Sequence, residues 1–340
     1  MTDRLAPTPV SAQGPTPTPR TPGVIAASYA LGAVPTACNP GAVPSSGVEL
    51  PPVPAGIRLV VADMDGTLLD EAGDVPDALW PLLTRMRERG IAFAPASGRQ
   101  YATLRRQFDR AGDGMVFIAE NGSIVVRDEV ELSSRPLDRP FVEDAIGRVR
   151  ALARSGRDVG VVLCGKSSAY IERRDAAFVS QAEPYYAALA TVDDVLAPQD
   201  EVLKIAVFDF ESSALTAQAL APLGADHRVV ISGHHWVDLM ADRANKGNAV
   251  RSLQAAMGIG PAETIAFGDY LNDVEMLAAA EHSYAMANAH PDVLAAARHV
   301  APSNADQGVI TVLSALLDSP LPDSTGPDST VPGRAPGRDR

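Results

Sequence analysis

Leu59, Val60, Val61 and Ala62 lead directly into Asp63 and Asp65, and this junction limits what the chain can fold into more than any other stretch. Four consecutive apolar residues with no polar face belong to a strand buried on both sides, as found inside a parallel sheet covered by helices. In a strand, residues i and i+2 point to the same side. The spacing therefore predicts that both carboxylates leave the carboxyl end together, with Met64 turned away. Gly66 lets the backbone turn sharply, and Thr67 brings a hydroxyl and an amide to the mouth of that turn. Two adjacent carboxylates repel each other and are costly to bury, so the pair asks for a divalent cation. An all-oxygen ligand set points to Mg²⁺.

Strand and helix patterns alternate downstream. Residues 76–90 place Leu79, Leu82, Leu83 and Met86 on one helical face before Gly90, provided Pro81 stays near the first turn. Residues 91–96, 115–119 and 123–126 read as strands. Ser97, Gly98 and Arg99 follow the first of these and open a helix with Tyr101, Leu104 and Phe108 on one face, while Glu120, Asn121 and Gly122 signal a turn. From 127 to 232 the pattern becomes a mixture of helices (142–153, 212–221) and strands (159–163, 202–208, 229–231) without motif chemistry. This predicts an inserted α/β domain. Alternation resumes at 236–240, followed by a helix over 246–257, a strand over 264–267, a helix over 273–280, a strand over 284–286 and helices over 291–298 and 309–317. The expected class is α/β, with a doubly wound parallel-sheet core in two parts, 56–126 and 233–318, around the insertion at 127–232. Ligands of such sheets bind at the carboxyl ends of the strands, where every candidate residue lies.

Both ends differ from the middle. Residues 1–55 and 319–340 hold 17 of the 28 prolines with little apolar periodicity, and they read as disordered extensions. The formal net charge of -13 argues against nucleic acid or an anionic membrane as partner. A phosphate ester would be repelled too, so a site for one needs a local cation. Only three of the 29 basic residues are lysines, Lys166, Lys204 and Lys246, and each is a hint that an ammonium is needed where it stands. Cys38 and Cys164 lie far apart and predict neither a disulfide framework nor a zinc site. Arg20, the apolar stretch at 24–34 and Cys38 are similar to an export signal, but Pro35 and the proline-rich lead argue against it. No run approaches the roughly 18 apolar residues of a membrane span. A cytoplasmic protein is expected. His234 and His235 are adjacent, so on a strand they would face opposite sides, and the other histidines are isolated.

The stretch DMDGTLLD at 63–70 resembles the nucleophile motif DxDGTL of the haloacid dehalogenase superfamily of phosphohydrolases. Ser97 is similar to its second motif and Lys246, in Ala-Asn-Lys-Gly, to its third. IAFGDYLNDVEML at 265–277 resembles the fourth, GDxxND, with Tyr270 in place of a small residue. The resemblance implies that Asp63 attacks phosphorus, that Asp65 serves as general acid and then base, and that Lys246 binds phosphate and offsets Asp63. It also implies that Thr67, Ser97, Gly98 and Asn272 bind the phosphoryl group, Ser97 and Gly98 from a helix N-terminus. Mg²⁺ would be held by Asp63, Asp269 and the backbone carbonyl of Asp65, with Asp273 orienting Lys246 or a metal-bound water.

The place of the insertion, after Ser97 and before Lys246, is similar to the C2-capped, Cof-like IIB members. Glu120-Asn121-Gly122, the Asn288 segment and Ser303-Asn304 add to this likeness. Ser97 to Tyr101 with Leu104 and Phe108 looks closest to sugar phosphatases and to flavin-nucleotide or ribitylaminouracil phosphate phosphatases. The implied activity is Mg²⁺-dependent hydrolysis of small phosphorylated metabolites through an aspartyl-phosphate. The same motifs also suit a phosphomutase or a non-catalytic binding protein. Cap residues offered for the substrate are Lys166, Arg173, Arg174, Tyr185 and Tyr186. Spacing says nothing of oligomeric state.

Overall fold

The structure, a computed structural model, describes residues 56–318. The extensions expected at 1–55 and 319–340, with Cys38, lie outside the described residues. Two sheets organise the rest. The larger has eight strands in the order His299–Ala301, His282–Met286, Thr264–Gly268, Leu59–Asp63, Ala92–Ala96, Val116–Ala119, Ile124–Arg127, Val130–Ser134. The first six run parallel, Ile124–Arg127 is antiparallel to them, and Val130–Ser134 pairs antiparallel with Ile124–Arg127. Leu59–Asp63 sits in the middle, paired on both sides, and Leu59, Val60, Val61 and Ala62 are fully buried. That burial, worth about 1.5–3 kcal/mol per large side chain, fixes the strand that ends in Asp63.

The chain is thus α/β with a doubly wound, mainly parallel core. The helix Leu79–Glu88 begins late enough for Pro81 to fall in its first turn, where a missing N–H costs nothing. Lys246–Met257 starts at Asn245, whose side chain accepts from the amide of Asn248 at 2.7 Å, and ends at Gly258 in a left-handed conformation.

The second sheet has six strands in the order His227–Ile231, Trp236–Ala241, Val202–Asp209, Val159–Gly165, Ala169–Ile171, Leu189–Thr191. It carries Arg139–Arg154 and Ser213–Leu220 and has its own apolar core. The boundaries expected for the inserted unit shift at both ends. Val130–Ser134 pairs with Ile124–Arg127 and extends the larger sheet. Trp236–Ala241 pairs antiparallel with Val202–Asp209, Val237 opposite Val207, so it is a cap strand and not a core one. A buried apolar strand followed by a helix looks the same in either sheet, and only the pairing separates them.

Candidate active site

The carboxyl ends of the parallel strands open into a cleft of about 850 Å³ that runs up to the smaller sheet. Asp63, the last residue of its strand, is buried and accepts from Lys246 Nζ. The same ammonium donates to Asp273 Oδ1 at 2.7 Å, while Asp273 Oδ2 accepts from the amides of Asp269 and Tyr270, each at 3.1 Å. Lys246 reaches this point because Gly247 lets its helix press on the backbone of Glu275, where a Cβ would collide with the carbonyl. Asp269 takes a 2.7 Å hydrogen bond from Thr67 Oγ1.

Two buried carboxylates, Asp63 and Asp273, thus share one ammonium, and a third, the half-buried Asp269, lies beside them. Burial first, then the like charge of Asp273, holds Asp63 well above the usual carboxylate range, with Lys246 opposing. Asp269 is pushed up to about 6, mainly by burial, against the pull of Thr67 and with Asp273 adding to it. Burial works against the charge of Lys246, but Asp273 and Asp63 outweigh it and raise its pKa.

The donor set fits a hard divalent cation. Asp63, Asp269 and Asp273 bring carboxylate oxygens within 4.8 Å of one another, and their excess negative charge over Lys246 is what such an ion neutralises. Both oxygens of Asp273 are already engaged, so Asp63 and Asp269 are the two carboxylates that could hold the ion and Asp273 is the group that steadies Lys246.

Four of the expected residues are placed differently: Asp65, Thr67, Ser97 and Gly98. The strand ends at Asp63, and the backbone from Met64 to Leu68 turns, with Gly66 at φ +78°. Alternation therefore stops short of Asp65, whose side chain is 66% exposed and lies outside the acidic cluster. Asp65 instead meets Arg99, with Nη2 to Oδ1 at 2.6 Å and Nε to Oδ2 at 3.3 Å, over the same cleft. Thr67, expected at the phosphate, is buried with its hydroxyl turned to Asp269, so it orients that carboxylate. Ser97 and Gly98 line the cleft from a loop, because the helix begins only at Tyr101 and presents no N-terminus to them. Asn272 is exposed at the cleft, its amide 3.4 Å from Asn121 Oδ1.

Of the cap residues offered for the substrate, Tyr185 and Tyr186 line the cleft. Lys166 pairs with Glu131 and Glu201, Arg173 with Asp158 and Asp175, and Arg174 with Asp193, all away from it. His234 and His235 lie in a turn before Trp236, not on a strand, and their rings meet with Nδ1 and Nε2 3.0 Å apart at the cleft. The sequence assigns no role to Arg99 or Asp238 and marks Lys204 only as a retained ammonium, yet all three line the cleft. Arg99 stands beside Ser97 in the chain, which is the signal that could have drawn attention to it. Asn288 donates to the carbonyl of Gly66 at 2.8 Å and Asn304 to that of Leu69 at 3.0 Å, bracing the turn from below.

Gly66 is where this geometry is most exposed to a single change. A Cβ there would collide with the Asp269 carboxylate, and the positive φ disfavours any side chain. Gly66→Ala is expected to cost about 1–3 kcal/mol in denaturant unfolding and to weaken metal binding by displacing Asp269.

The chain is similar to known proteins along this whole region. A family model described as haloacid dehalogenase-like hydrolase matches residues 60–313. The 5-amino-6-(5-phospho-D-ribitylamino)uracil phosphatase YbjI of Escherichia coli is 34% identical over 270 residues, which is 78% of this chain and 98% of that protein. An HMP-PP phosphatase of Cronobacter sakazakii is 28% identical over 270 residues, 77% of this chain and 97% of that protein. Among solved structures, SMU.1108c of Streptococcus mutans superposes with a TM-score of 0.68 at 27% identity, covering 77% of this chain and 100% of that one.

Proposed function

Because the chain belongs to the haloacid dehalogenase-like hydrolases, we propose that its phosphatase activity proceeds through an aspartyl-phosphate on Asp63 and depends on Mg²⁺. It is a Cof-like phosphoric monoester hydrolase acting on small phosphorylated metabolites. The observation that carries the finer reading is the pairing of Asp63 with Lys246 at the strand end, with Asp269 beside it and Asp65 across the same cleft.

Asp63 needs no neighbouring base, since its carboxylate is the nucleophile once ionised. One of its oxygens bonds to phosphorus while the bond to the leaving oxygen breaks, and Asp65 gives that oxygen its proton. Asp65, now a carboxylate, takes a proton from water, the resulting hydroxide bonds to phosphorus, and the bond to Asp63 breaks to release inorganic phosphate. Ser97, the Gly98 amide, Asn272 and Lys246 are the groups offered to the phosphoryl oxygens. Mg²⁺ held by Asp63, Asp269 and the Asp65 carbonyl would supply the positive charge that offsets repulsion between carboxylate and phosphate.

The cap wall supports a substrate whose leaving group carries a flat ring. Tyr185, Phe208 and Trp236 line the cleft, with ring centroids 6.0 Å apart for Tyr185 and Trp236 and 4.9 Å for Phe208 and Trp236. A ribitylaminouracil or flavin phosphate offers such a ring and a sugar phosphate does not. The test is phosphate release from both kinds of ester, with Mg²⁺ and with chelator. Metal-dependent release favouring the ring-bearing esters is expected. No release from any compound, or turnover only with a bisphosphate cofactor, would overturn the reading.

The raised Asp269 also sets a pH dependence. Its folded pKa of about 6 lies above the unfolded value, so the metal-free native state binds more protons than the unfolded one between them. Metal-free stability is therefore expected to fall as pH rises toward 6, and Mg²⁺ affinity to rise over the same interval as Asp269 ionises. Thermal melts and calorimetric titrations with Mg²⁺ on either side of that value check both signs.

A further inference from the structure

Lys204 stands on the cap strand Val202–Asp209, yet its side chain, 4% exposed, reaches into the core. Its ammonium is 2.6 Å from Glu120 Oε2 and 3.9 Å from Asp238 Oδ2, and it donates to the carbonyl of Gly98 at 3.0 Å. Burial works against its charge, but Asp238 and Glu120 outweigh that, so it stays an ammonium.

The Gly98 carbonyl belongs to the peptide whose N–H, that of Arg99, donates to Ser97 Oγ at 3.2 Å. The other two carbonyls of this loop are held from within the core: that of Ser97 by the Asn121 amide at 2.9 Å, and that of Arg99 by the Glu120 amide at 3.0 Å. Only Gly98 is held from the cap. With its oxygen accepting from Arg99, the Ser97 hydroxyl keeps its hydrogen to donate into the cleft. A positive charge on the carbonyl end of a peptide also polarises its N–H and strengthens the bond that N–H makes.

We propose that Lys204 is a positioning residue for Ser97: it fixes the Gly98–Arg99 peptide, and through it the hydroxyl that binds phosphate, so the docked cap completes the phosphate site. The cap is seated at this same loop. Gln100 exchanges two 2.9 Å hydrogen bonds with the backbone of Ala188, and Thr103 Oγ1 donates to Tyr185 O and accepts from the Ala187 amide, each at 2.9 Å. The inference rests on the phosphatase reading above.

A mutant cycle tests it, with inhibition by inorganic phosphate and kcat/KM as readouts. Glu120→Gln with Asp238→Asn is the background, so that Lys204→Met strands neither carboxylate. In that background Lys204→Met is expected to weaken phosphate inhibition about tenfold, and to do nothing further once Ser97→Ala is present. A role confined to holding the cap in place predicts the contrary, equal weakening with and without Ser97, and that result overturns the proposal. Should the Met variant not fold in thermal melts, Lys204→Gln carries the same cycle. An inactive wild type would overturn the phosphatase reading and this proposal together, whereas an active wild type with multiplying effects overturns this one alone.

Discussion

Asp63→Asn is expected to lower turnover by about 10⁴-fold or more while leaving the protein folded. The amide has the shape of the carboxylate but cannot form a bond to phosphorus under these conditions, so the first step has no nucleophile. Stability should hold or rise. Asp63 shares a single ammonium with Asp273 and lies beside Asp269, and its own burial and the Asp273 charge both disfavour ionisation. Neutralising it removes like-charge repulsion, and Asp273 still pairs with Lys246 at 2.7 Å. Phosphate release and a thermal melt on the same preparation check the two halves, and substantial turnover in a well-folded variant would assign the nucleophile elsewhere.

Lys246→Met is expected to do the opposite to stability. Its ammonium, 1% exposed, is the counter-ion to Asp63 and Asp273. Removing one partner of a buried ion pair leaves an uncompensated charge and costs about 3–5 kcal/mol. Turnover should fall as well, by about 10²-fold or more, because a positive charge aimed at the phosphoryl group is lost. Mg²⁺ should recover part of the lost stability, since it can neutralise Asp63 and Asp269, but not the turnover. Chemical denaturation with and without Mg²⁺ separates the two effects, and a variant as stable as wild type without metal would contradict the charge balance described here.

Much of this was legible in the chain because a parallel sheet leaves few choices. An apolar run ending in Asp63 has to be a buried strand, and its carboxyl end has to face the cleft. The same logic put Ser97 and Asp269 at neighbouring strand ends, whereas Lys246 follows a strand of the smaller sheet and was marked instead by the motif it resembles. The reading failed where local pattern ceased to decide. Alternation was carried one residue pair too far at Asp65, because the strand stops at Asp63 and the turn begins there. Trp236–Ala241 went to the wrong sheet because burial alone does not name a partner strand. Ala169–Ile171, Ala176–Ala182 and Leu189–Thr191 were missed because they are too short to show a period.

The scarcity of lysine, a hint that an ammonium is needed at each of the three, holds for Lys246 and Lys204 but not for Lys166, which pairs with Glu131 and Glu201 away from the cleft. Lys204 is buried between two carboxylates as well, but it sits inside an apolar strand pattern, and its partners Gly98 and Glu120 come from distant parts of the sequence. Thr67 likewise looked like a phosphate ligand until the fold brought Asp269 against it.

The central claim is a covalent phosphoryl group on Asp63, and the most direct measurement is rapid quenching of the enzyme during turnover with Mg²⁺, followed by mass spectrometry of its peptides. The account predicts a phosphoryl adduct on the peptide containing Asp63, formed fast enough to lie on the path. It also predicts that, with an ester whose leaving group needs no proton, such as p-nitrophenyl phosphate, the adduct accumulates in Asp65→Asn, which lacks the base for the second step, and that it is absent in Asp63→Asn. Turnover with no adduct in either enzyme, or an adduct on another residue, would contradict it.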